Sequence, residues 1–184
     1  MLELKRHPVK IAHLNLRTEK HGDDDVNALD IKITFDLPNT RLNDIAAGLR
    51  ESLYEASSDT DLLGPDGDHL THLRYPQLGK EGKFPWIAEW SSVSFHLHTG
   101  NGRGKGDLLW VESTFGQLVV QPKEGGTCSC VARAQVLPTP GETSKLVSLL
   151  KHDVPASTDM SRAVTSAPKN ARKQAPRDDD DEED

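Results

Sequence analysis

Arg103 and Lys105 alternate with glycines in the run Gly100-Asn101-Gly102-Arg103-Gly104-Lys105-Gly106. Backbone N–H groups freed by glycine and two flanking cations can converge on a phosphate. The run is not a Walker loop, because no Gly-Lys-Ser/Thr end leads into a helix. Just upstream, alternation puts Trp86, Trp90, Ser92, Ser94, His96 and His98 on one face of an extended segment, with Trp110 on the next. Aromatic rings on a sheet beside a cationic loop suit unstacked bases, each stacked base contributing about 1–3 kcal/mol. The plainer assignment stays open: a charged hairpin tip for solubility, and tryptophans packed beneath a helix or loop.

Other chemistry-bearing residues form only fragments of sites. His96-x-His98, His69-x-x-His72 and His21 beside Asp23, Asp24 and Asp25 are three half-sites for a metal, none complete. No metal and no cofactor is assigned. There is no Gly-x-Ser-x-Gly elbow, His-Glu-x-x-His helix or Cys-x-x-Cys motif, and the sequence is read as non-enzymatic. Cys128 and Cys130, one residue apart, are unsuited to a disulfide and are expected to be buried, reduced core thiols.

The final seven residues, Asp178, Asp179, Asp180, Asp181, Glu182, Glu183 and Asp184, are all acidic. Like charges at that density keep a chain end solvated. Such a polyanion can compete with phosphates for basic surface, recruit a basic partner, or simply solubilise. From residue 156 onward eight acidic residues stand against five basic ones, −3 of the formal −7. The remaining −4 makes the body mildly acidic, so a nucleic-acid surface has to be a local patch.

At 184 residues the chain suits one domain with appendages. We divide it into a globular domain at 1–155, a disordered Ser/Ala/Pro/Lys-Arg linker at 156–177 and the acidic tail at 178–184. No run approaches the roughly 18 apolar residues of a membrane span. The first residues also lack the apolar stretch of a signal peptide. A cytoplasmic protein without membrane partners is expected.

The elements that would position these groups are mostly strands. Val9 to Leu16 reads as the first, ending before the polar run Lys20 to Asp25. Leu29, Ile31, Ile33, Phe35 and Leu37 alternate with polar residues in the second. Leu42, Ile45, Ala46, Leu49 and Leu53 follow helical spacing and predict one amphipathic helix of about four turns. Strands are expected at Trp86–His98, at Leu108–Val120 (whole or divided at Gly116) and at Thr127–Leu137, with Cys128, Cys130, Ala132, Ala134 and Val136 on one face. Thr143 or Ser144 is the expected cap of a short helix ending at Leu150. The sum is a β-rich α+β body, a small antiparallel barrel or sandwich with one packed helix. An oligonucleotide-binding barrel is one member of that set.

Two stretches carry a resemblance. Ile11-Ala12-His13-Leu14-Asn15-Leu16-Arg17 with Glu19 to Asp24, and Gln121 to Thr127 with Gly141 to Leu150, resemble a group of bacteriophage-encoded proteins whose genes lie among those for replication and recombination. The barrel, linker and acidic tail are more loosely similar to phage single-stranded DNA-binding proteins, although their tails end in a hydrophobic residue and this one ends in Asp184. The resemblance implies an accessory protein of phage DNA metabolism in the host cytoplasm. Joined to the residue reading above, which the resemblance itself does not supply, this gives a protein that binds single-stranded DNA with Arg103 and Lys105 on phosphates and Trp86, Trp90 or Trp110 stacking bases, its tail regulating access or recruiting host or phage replication and recombination proteins. The alternatives are a phage inhibitor of a host defence or nucleic-acid-processing protein, and a virion component.

Overall fold

The computed structural model describes residues 2–56, 70–100 and 106–166, without the side chains of residues 21, 24, 79–81 and 166. Arg103, Lys105, His69 and the run Asp178 to Asp184 lie outside the described residues. The strands are β1 His7–His21, β2 Asp24–Pro38, β3 Tyr54–Ala56, β4 Leu70–Leu73, β5 Phe84–Trp86, β6 Glu89–Leu97, β7 Leu108–Lys123, β8 Thr127–Val136, β9 Asp153–Asp159 and β10 Val164–Ser166. Six of them close into an antiparallel barrel in the cyclic order β1-β2-β8-β7-β6-β9. Full closure leaves these staves no free edge, the hazard that open sheets must cover. β5 and β10 extend the sheet outward from β7 and β6, and β3 pairs separately with β4.

The period-two patterns of β2 and β8 fill the barrel as expected. Leu29 to Leu37 and Cys128 to Val136 bury every second residue in one core with Val9, Ile11, Phe95, Leu97 and Phe115. Both cysteines are free and buried. Burial pushes the Cys130 thiol up to about 12 and raises that of Cys128 as well. β1 and β2 are longer than their apolar patterns, because a two-residue turn with Gly22 at φ 66° lets their polar arms keep pairing out to His21 and Asp24.

Bulges break the alternation elsewhere. Ser92 (φ 56°) inserts into β6 and Gln117 (φ 48°) into β7, each with a shift in register. Past Ser92 the side chains change face, which puts Trp90 on the same inward face as Val93, Phe95 and Leu97. This corrects the face assigned to Trp90. The expected strand 86–98 is also two pieces: β5 pairs with β7 at Leu118 to Val120, and β6 pairs with it at Leu108 to Phe115.

The expected four-turn helix is replaced by a 3-10 turn at Asn39–Arg41 and two short helices, α1 Leu42–Ile45 and α2 Leu49–Leu53. Gly48 (φ 78°) breaks the run between them, a left-handed conformation that L side chains rarely adopt. Tyr54, next in line, donates from its hydroxyl to the carbonyls of Lys123 and Thr127 and ties this segment to the β7–β8 turn. The later helix, α3 Pro140–Ser148, is capped by Thr139 in place of Thr143 or Ser144. Thr139 and Glu142 satisfy each other's backbone N–H groups in a capping box.

The domain limit at residue 155 is also corrected. It falls inside β9, whose Val154, Ala156 and Thr158 turn inward and whose backbone pairs with both β1 and β6. The segment Asp153-Val-Pro-Ala-Ser-Thr-Asp159 reads as linker because it is short, polar and contains proline. Without it the barrel would be open.

Candidate nucleic-acid interface

On the outer surface of β2 and β8 the two polar registers meet. Antiparallel pairing sets Lys32 directly opposite Arg133 and Asp30 directly opposite Gln135. Like charges on facing positions repel by several tenths of a kcal/mol. Part of that repulsion is neutralised by the buried Asp30 carboxylate, which accepts from Arg17 Nε at 3.0 Å and lies 3.5 Å from Arg133 Nη1. Arg17 also pairs with Glu19. Lys32 makes no ion pair among the described residues.

This floor belongs to an open groove of about 660 Å³. One wall is β5, the edge strand on β7, which contributes Trp86, with Ile87 just beyond it 72% exposed. The Gln117 bulge and Glu89 also face the groove. Gly116 permits this approach: a Cβ there would lie 2.7 Å from Glu89 Cγ. The groove thus holds an exposed lysine facing an arginine, a half-buried indole and two glutamines. A strand of nucleic acid needs those partners for phosphates, a base face and base edges. Three cations (Arg17, Lys32, Arg133) against three carboxylates (Glu19, Asp30, Glu89) make the field local.

The residues singled out in the sequence are distributed differently. Trp90 and Trp110 are 5% and 7% exposed, stacked inside the barrel on Phe115 and Phe95. Their rings belong to the core, which leaves Trp86 as the accessible tryptophan. The described ends of the Gly100–Gly106 loop join β6 to the start of β7, whereas Trp86 pairs with Leu118. Ten residues of strand, about 30 Å, separate the two. The described ends of the loop and Trp86 therefore lie toward different ends of β7. Of the other histidines singled out, His72 is paired with Glu124.

Sequence reasoning missed Arg17, Lys32 and Arg133. The signal was present in the polar face of the Leu29–Leu37 alternation, but the facing of Lys32 and Arg133 depends on the β2–β8 register. No protein-family model, curated protein or solved structure matches this chain.

Proposed function

We propose that the protein is a non-catalytic accessory factor that binds single-stranded DNA in the groove between Trp86 and the Lys32–Arg133 pair. The single observation that carries this reading is the facing pair of cations beside a half-buried, accessible indole. A phosphate between Lys32 and Arg133 would relieve their repulsion while a base stacks on Trp86. Arg103 and Lys105 would add a further phosphate contact. The acidic run Asp178 to Asp184 would compete for the same cations. The resemblance to bacteriophage-encoded proteins supports a role in phage replication or recombination in the host cytoplasm.

The test is fluorescence anisotropy of labelled oligo-dT with the full chain, with Trp86→Ala, and with the seven terminal acids replaced by their amides. The reading expects salt-sensitive binding, weakened by the first variant and strengthened by the second. Absence of binding at tens of micromolar protein at low salt would refute it.

The second reading, a phage inhibitor acting by protein contact, is favoured by Leu109 and Val111. Both are more than half exposed on the outside of β7, in a cleft of about 620 Å³. It expects a stable complex with one host defence or nucleic-acid-processing protein that is lost in Val111→Asp, together with no affinity for oligo-dT.

A further inference from the structure

At the root of the glycine loop, three side chains that the sequence holds apart converge. His96 is near the end of β6, His98 follows it, and Asp107 precedes β7. One Asp107 oxygen, Oδ2, lies 3.0 Å from His96 Nε2 and 3.6 Å from His98 Nδ1. One ligand-competent atom from each residue lies within 4.8 Å of the other two. The imidazole rings are 3.8 Å apart, centroid to centroid.

We propose that His96, His98 and Asp107 form a binding site for a divalent transition cation of the zinc type. Two imidazoles and a carboxylate are a common donor set for such an ion. Tetrahedral ligands at about 2.0–2.1 Å from a metal stand roughly 3.3 Å from one another, and the two separations from Asp107 bracket that value. Small side-chain rotations would bring the three donors to bonding distance.

Two further observations point to a ligand. The His98 side chain is only 9% exposed, and its Nδ1 has no hydrogen-bond partner although it is directed at the carboxylate. A buried polar atom left unpaired is destabilising, and a bound cation would relieve it. The donors are also held from behind. His98 Nε2 hydrogen-bonds Ser157 Oγ at 2.8 Å, and the Gly100 N–H donates to Asp107 Oδ1 at 2.7 Å. The hydrogen bond between His98 Nε2 and Ser157 Oγ fixes the ring with Nδ1 on the Asp107 side, as outer partners of metal-ligating histidines do.

Three protein ligands leave a fourth position, beside the 620 Å³ cleft that His96 and Ser157 help to line. The ion would clamp β6 to β7 at the base of the loop. This proposal is independent of the DNA-binding reading.

The experiment uses the full chain, stripped with a chelator and titrated with Co²⁺ and then Zn²⁺. The expected result is visible Co²⁺ absorption saturating at one equivalent and displaced by Zn²⁺. The Tm should rise by about 5–10 °C at hundredfold excess over Kd. His96→Gln and Asp107→Asn should weaken binding more than tenfold, Ser157→Ala about 10–100-fold, and His152→Gln not at all. Should a variant fail to fold, the imidazole NMR signals of the wild-type protein decide instead. Zn²⁺ should move those of His96 and His98 and leave that of His152. No cobalt spectrum and no Tm shift, or undiminished binding by folded His96→Gln and Asp107→Asn, would overturn the proposal.

Discussion

Replacing Lys32 with alanine should act on binding and on stability with opposite signs. In the free protein the ammonium faces Arg133 across the β2–β8 ladder and makes no ion pair among the described residues. Its removal deletes a like-charge pair worth about 0.2–1 kcal/mol. For a domain of this size that is a Tm increase of up to about 3 °C. In the complex the same ammonium would neutralise a phosphate. Each neutralised phosphate of a single strand adds about 0.7 to the slope of log K against log salt. Arg17, Lys32 and Arg133 together give a slope of about −2, or a loss of roughly twentyfold between 50 and 200 mM salt. Lys32→Ala should reduce the slope to about −1.4 and weaken low-salt binding about tenfold, the scale of one charge-assisted hydrogen bond. Anisotropy titrations of oligo-dT at four salt concentrations, with thermal melts of both proteins, measure these quantities. Lys10→Ala, an exposed lysine outside the groove, is the control. An unchanged slope, or a Tm lowered by several degrees, would refute the argument that Lys32 is a strained, phosphate-directed cation.

The tryptophans should separate in the same assay. Trp86→Ala is expected to cost about 1–3 kcal/mol of affinity. Trp110→Phe, which removes a buried indole N–H with no partner, should leave both affinity and Tm nearly unchanged. Cys130, with its thiol raised to about 12 from an ordinary 9, should show roughly a thousandfold smaller thiolate fraction at pH 8. A thiol-disulfide reagent should therefore label neither cysteine until the protein is denatured. A chain ending at Pro155 loses most of β9 and should give no cooperative melt, whereas one ending at Ser166 should melt like the full chain.

What could be read from the sequence tracks where local periodicity and tertiary geometry agree. The alternations in β2 and β8 are unbroken, so their inward residues and a β-rich body were legible from residue type alone, while the choice of a closed barrel over a sandwich was not. β6 and β7 carry the same kind of pattern, but Ser92 and Gln117 adopt left-handed conformations that no serine or glutamine announces. The parity beyond each bulge therefore reversed, and Trp90 was assigned to the wrong face. The apolar stripe from Leu42 to Leu53 has helical spacing, yet Gly48 sits inside it and divides it in two. β9 was hidden for another reason: its stability comes from pairing on both edges and not from its own composition. The Trp86 groove depended on register, and the third member of the His96–His98–Asp107 cluster on closure of a hairpin. Both are long-range facts that a single sequence does not display.

The most direct test of the central claim is a two-dimensional NMR titration of the ¹⁵N-labelled full chain with oligo-dT. The Trp86 indole N–H and the backbone amides of Lys32, Gln117 and Arg133 should shift together and saturate with one binding curve, while the Trp90 and Trp110 indoles stay in place. Shifts confined to residues outside the groove, or none at saturating oligonucleotide, would contradict it.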